Sequence, residues 1–271
     1  MAKRFLSARG VGKRESRNKG ASLEFREYRH YVRGDELRYL DWNVYARHES
    51  LFVKEFTAEE SVHVAILIDQ SASMAPKFET AKTLALALGY IALANFDSVS
   101  VWRFSDRILS VRSFLVGKTR IHDLMGALEG LRTEGPSDFA KAFELPLPRL
   151  KGKSVAIVIS DFYDLEGYAK AMLGLLAQKI QVDMIQVLTR EEVDPKVEGR
   201  LLMRDSETGR EREVFVSSKA LSAYRSRYRQ FLEDLDSFAR AREIRRLRVF
   251  TDELLESIIA RAAQGGFLER V

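Results

Sequence analysis

The sequence predicts an α/β protein built on a doubly wound, mostly parallel sheet flanked by helices. Three observations predict it. Val64 to Ile68 is an unbroken apolar run without polar alternation, which is how a strand reads when both of its faces are covered. Ser154 to Ser160 repeats the pattern and Val182 to Leu188 reads as a third buried strand, with segments of helical periodicity between them, as in successive βαβ units. The first two runs each close on a carboxylate, Asp69 and Asp161. Open α/β sheets bind ligands beyond the carboxyl ends of their strands, so these two aspartates mark the end of the sheet where function is expected.

Composition narrows the classes. The chain has 271 residues, 46% apolar and 31% charged, enough for one large domain or two small ones. No apolar run approaches the roughly 18 residues of a membrane span, and the opening Met-Ala-Lys-Arg-Phe-Leu-Ser-Ala-Arg-Gly has no apolar signal core, so a cytoplasmic location is expected. The absence of Cys excludes disulfides, thiolate metal sites and Cys nucleophiles. His30, His48, His63 and His122 are scattered and form no His-x-x-x-His pair, which argues against a zinc hydrolase. A net charge of +5 permits an acidic partner without demanding nucleic acid.

Taken in order, residues 1–22 form a Gly-interrupted basic arm, expected to be flexible. Residues 23–60 interleave dense mixed charge with Phe25, Tyr28, Tyr31, Tyr39 and Trp42, and are expected to pack on the main domain with their charges paired. The main domain is expected over 61–271. After its first strand, Lys77 to Phe96 reads as a largely buried helix, and 97–104 with 108–114 as a strand pair forming one edge. Arg120 to Leu131 is a further helix, Gly135-Pro136 a stop, and Ser137-Asp138 the cap of the next element. Leu165 to Gln178 is a helix between the second and third apolar strands. A hairpin is inserted near 200–216, and Ser218 to Arg242 is a long helix turning Leu221, Tyr224, Tyr228, Phe231, Leu232, Leu235 and Phe238 inward. A last strand over 246–250 precedes a helix opened by Thr251-Asp252-Glu253 and stopped at Gly265-Gly266.

The chemistry concentrates after the first strand. Asp69-x-Ser71-x-Ser73 places a carboxylate and two hydroxyls at alternate positions, hard oxygen donors that suit Mg²⁺ or Mn²⁺ better than Zn²⁺. Gly117-Lys118-Thr119 and Gly152-Lys153-Ser154 imitate a phosphate loop but lack its earlier Gly. A serine hydrolase would need a nucleophile elbow and a partner His, and Ser71 and Ser73 have neither in their sequence context.

Asp69-x-Ser71-x-Ser73 resembles the metal-ion-dependent adhesion site of von Willebrand factor A-type domains. The stretch from Glu24 to Trp42, above all Tyr31-Val32-Arg33-Gly34-Asp35-Glu36-Leu37-Arg38-Tyr39-Leu40-Asp41-Trp42, is similar to the signature of a prokaryotic family of unknown function encoded beside MoxR-type AAA+ ATPases. The resemblance covers residues 20–260 and implies a von Willebrand factor A-like fold. It implies a metal site completed by a second loop at Ser137, where the family usually has Thr, and by a third at Asp161. It further implies a non-enzymatic, metal-dependent protein-interaction module that works with a MoxR-type ATPase on a client protein; because these ligands leave Mg²⁺ under-neutralised and short of six, an acidic residue of the partner is expected to complete the metal shell. The alternatives from other classes are nucleic-acid binding through the basic arm and the Arg-rich helix, and metal-dependent phosphoester hydrolysis.

Overall fold

The computed structural model describes residues 23–33, 35, 37–58, 62–135, 139–143, 153–205 and 210–267. The expected basic arm, the Ser137-Asp138 cap and the centre of the hairpin turn lie outside them. The chain divides into two compact units between residues 60 and 61.

In the first unit, β1 (Leu23–His30) pairs antiparallel with β2 (Phe52–Ala58), and α1 (Trp42–His48) lies between them in the chain. The sequence reading finds no strand here. A register shift between Phe25 and Glu27 breaks the period-2 alternation that would have marked β1. The expected charge pairing is present. Asp41 caps α1 by accepting from the amides of Asn43 and Val44 at 2.9 and 3.2 Å, while its other oxygen takes the Tyr28 hydroxyl and the Lys54 ammonium, both at 2.8 Å. Arg29 grips Asp35 with two bonds of 3.0 Å. Trp42 is 62% exposed. As the first residue of α1 it stands on the helix surface against Tyr45.

The second unit is the expected doubly wound domain. Its elements are β3 (His63–Asp69), a 3-10 helix (Ala72–Lys77), α2 (Phe78–Ala94), β4 (Ser98–Phe104), β5 (Ile108–Val116), α3 (Ile121–Glu129) and α4 (Phe139–Ala142). They are followed by β6 (Ser154–Ser160), α5 (Leu165–Ala177), β7 (Gln181–Leu188), α6 (Arg190–Val193), the hairpin β8 (Gly199–Arg204) and β9 (Glu211–Val216), α7 (Ser218–Arg240), β10 (Arg245–Phe250) and α8 (Leu255–Gln264). Six strands form one sheet in the order β10-β7-β6-β3-β4-β5, parallel except for the edge strand β5.

Two core layers explain the uninterrupted apolar runs. Val64, Ile66 and Ile68 of β3 face α2, α3 and α8, whereas Ala65 and Leu67 face α4, α5 and α7, so every residue of β3 is buried. The same parity puts Asp69 on the α5 side. From β3 the chain winds toward β4, and from β6 it winds toward β7 and β10, so the direction of winding reverses between β3 and β6. Asp69 and Asp161 stand at the carboxyl ends of these two neighbouring strands.

Two expectations are corrected. Tyr224 of α7 is 41% exposed and turns its hydroxyl to the Glu192 carbonyl at 2.6 Å, because only Leu221, Tyr228, Leu235 and Ala239 reach the sheet side of that helix fully. The last helix begins at Leu255 and not at Thr251. Thr251 still bonds back to the Leu188 carbonyl at 3.0 Å, and Asp252 holds Arg190, which keeps the intervening residues in a turn. Among the described residues, no helix is long and apolar enough to cross a membrane.

Candidate metal centre

The centre is assembled by three chain segments leaving the carboxyl ends of β3, β6 and β7. Asp69 is 1% exposed, and its carboxylate is held from both sides. Oδ1 accepts the Ser71 amide at 2.8 Å, which folds the turn back on the strand. Oδ2 accepts the Ser160 hydroxyl at 2.5 Å and the Tyr168 hydroxyl of α5 at 3.0 Å, and those two hydroxyls also touch each other. Burial, then the nearby Asp161 charge, pushes the Asp69 carboxyl up to about 6 against the opposing pull of the Ser160 and Ser71 hydrogen bonds. Tyr168 is raised well above its ordinary value, chiefly by burial, and serves as a neutral donor.

Ser71, Ser73 and Asp161 form a chain of contacts. The Ser71 and Ser73 hydroxyls lie 3.0 Å apart, and Ser73 donates to Asp161 Oδ2 at 2.9 Å. Each hydroxyl has one proton, so Ser73, having given its own to Asp161, must accept from Ser71. Lone pairs therefore remain on both serine oxygens. One further site remains on Asp161 Oδ1, which takes only the Tyr163 amide at 3.3 Å, and one on Asp69 Oδ1. That donor set is hard, oxygen-only and partly neutral, and it fits Mg²⁺ or Mn²⁺. Among the described residues no group of three or more His, Cys, Asp or Glu side chains could hold a metal, so a cation here depends on the serine hydroxyls.

The structure thus brings together Asp69, Ser71, Ser73 and Asp161. Ser137 lies outside the described residues. The loop that leads to it is tied to the motif: Ala72 donates to the Gly135 carbonyl at 3.1 Å and Glu134 to the Gln70 carbonyl at 2.7 Å.

Sequence reasoning missed five contributors. Lys77, the last residue of the 3-10 helix, is wholly buried and bonds both Asp161 Oδ2 at 2.8 Å and Glu192 Oε1 at 2.5 Å. Glu192 is fixed in turn by a reciprocal cap with Thr189 at the start of α6. Gln186 holds the Asp161 carbonyl at 2.9 Å, and Ser160 and Tyr168 hold Asp69. Only Ser160 had a legible signal, its place beside Asp161. The others become neighbours through contacts spanning up to 115 positions.

A doubly wound sheet with an Asp-x-Ser-x-Ser turn at its switch point is the von Willebrand factor A-like arrangement that the resemblance implies. The chain belongs to the family described as "Protein of unknown function DUF58", which matches residues 27–234. Uncharacterized proteins of Mycobacterium bovis and Mycobacterium tuberculosis are 22% identical to it over 207 residues, covering 73% of this chain and 65% of theirs. The chain therefore spans less than two thirds of the length of the curated relatives it matches. Among solved structures, the conserved hypothetical protein BatB from Bacteroides thetaiotaomicron is similar with a TM-score of 0.45 at 17% identity, over 77% of this chain and 98% of that one. A von Willebrand factor type A protein from Catenulispora acidiphila is similar with a TM-score of 0.36 at 15% identity, over 66% and 44%.

Proposed function

We propose that this chain is a non-enzymatic, metal-dependent protein-interaction module that acts with a MoxR-type AAA+ ATPase in assembling, activating or remodelling a client protein. The observation that carries the reading is the convergence of Asp69, Ser71, Ser73 and Asp161 at the switch point, with hydroxyl protons directed so that oxygen lone pairs stay open. In the proposal these residues hold Mg²⁺, or Mn²⁺, with Ser137 as a further ligand supplied by the loop that Gly135 ties to the motif. The bound cation would supply a Lewis-acidic anchor for a carboxylate of the partner. The protein's residues do the rest. Asp69, clamped by Ser160 and Tyr168, sets the turn, and Ser73 orients Asp161. Selectivity among acidic partners falls to the neighbouring segments 74–78, where Ala75 and Pro76 are exposed, 132–139 and 162–166. Catalysis is no part of the proposal. An ATPase partner places the work in the cytoplasm, where its nucleotide is.

The test is capture of the organism's MoxR-type ATPase by this protein in Mg²⁺, in EDTA, and with Ser71→Ala/Ser73→Ala. Capture is expected in Mg²⁺ alone. Equal capture in all three would refute the metal-dependent reading, and capture that ignores EDTA but falls steeply with salt would assign the contact to general electrostatics.

A further inference from the structure

Lys77 brings a positive charge to a centre whose other described side chains offer oxygen donors or neutral hydrogen bonds. Its side chain is completely buried, and its ammonium lies 4.9 Å from the centre of the Tyr163 ring as well as on Asp161 and Glu192. Burying a charge is costly unless it is paired, and here both bonds are short and to carboxylates. The position is also specific. Asp161 Oδ2 accepts from Ser73 and Lys77 together, so the ammonium sits on the oxygen that closes the Ser71–Ser73–Asp161 chain. Glu192 meanwhile is held by Thr189 through its backbone and its second oxygen. One side chain thereby links the segments that follow β3, β6 and β7.

We propose that Lys77 is a resident cation of this centre, holding the three segments together without metal and competing with a divalent ion for Asp161. Charge bookkeeping supports it: Asp69, Asp161 and Glu192 against Lys77 leave two uncompensated negative charges, the amount that one divalent ion neutralises. Without the ammonium the same pocket would present three. Lys77 thus keeps metal affinity low in the free protein, and with the cation bound it brings the pocket to neutrality, where without it a net negative charge would repel a partner's carboxylate. This rests on the metal-site reading above, and the experiment separates the two.

Mn²⁺ binding is measured by electron paramagnetic resonance on the whole protein, on Lys77→Met, and on Lys77→Gln, which keeps polar volume if the methionine does not fold. Removing the like charge that sits on Asp161 is expected to tighten binding about tenfold or more. A merely structural lysine would give equal or weaker binding when lost. Tighter binding by the variant supports the inference. Binding by the variant but not by the wild type supports it too, while overturning the metal-dependent function. Wild-type binding with no tightening overturns the inference and leaves the function standing, and absence of binding in all three overturns both. The wild type gives a second readout that needs no variant: Mg²⁺ should shift the ¹⁵Nζ resonance of Lys77, and an unchanged resonance at saturating metal would overturn the competition.

Discussion

Asp41 and Asp69 show how one residue type takes opposite roles. Lys54 first, then the Tyr28 hydroxyl and the helix-end amides, hold the Asp41 carboxyl well below the usual carboxylate range. Its folded value lies below its unfolded one, so its contribution to the first unit is present above about pH 4 and is lost as the pH falls through the folded value. An NMR titration of the carboxyl should give a midpoint clearly below that of an exposed aspartate, and one at or above pH 4 would contradict the network. Asp69 is instead the structural anchor of its turn. Asp69→Ala leaves the buried Ser160 and Tyr168 hydroxyls with only one acceptor between their two protons, a loss of about 2 kcal/mol, whereas Ser73→Ala should cost about 1 kcal/mol. Chemical denaturation of the two variants should separate them in that order. Equal losses would mean that Asp69 is not the hub drawn here.

At the scale of elements, α5 decides where Tyr168 meets Asp69. Its start is capped by Asp164, whose Oδ1 accepts the Gly167 amide at 3.1 Å. A Cβ at Gly167 would collide with that carboxylate and press on Phe139 Cβ at 3.2 Å. Gly167→Ala should therefore expel the cap and cost about 1 kcal/mol or more, lowering the melting temperature by roughly 2–4 °C. Because both changes remove the same bond, Asp164→Ala/Gly167→Ala should be no less stable than the worse single variant. Full additivity would show that the glycine matters for another reason.

For the whole molecule, both apolar cores are built only from residues 62 onward. Residues 61–271 are thus expected to fold as a domain on their own. The two tryptophans make this measurable: Trp42 is 62% exposed, while Trp102 is 7% exposed and donates to Ser100 Oγ at 2.9 Å. A fragment beginning at residue 61 keeps only Trp102, so its emission should be blue-shifted and should red-shift in one cooperative step on denaturation. A red-shifted native spectrum would show that the core needs residues before 61.

The sequence by itself determined the sheet. Strands buried on both faces are apolar along most of their length, so β3 and β6 are legible as continuous apolar runs, and β7 as a short apolar segment interrupted by the buried Asp183 and Gln186. The Asp69, Ser71 and Ser73 donors were equally legible, because a turn of five residues sets their spacing locally. In β1 a register shift hid the alternation, and in α7 the apolar stripe was wider in sequence than the face that the sheet covers. Only the tertiary structure placed Lys77 on Asp161 and Glu192, and Tyr168 on Asp69. Those contacts join strand ends brought together by the winding order, and a lysine at the end of a helical turn reads as an exposed charge until the fold closes over it.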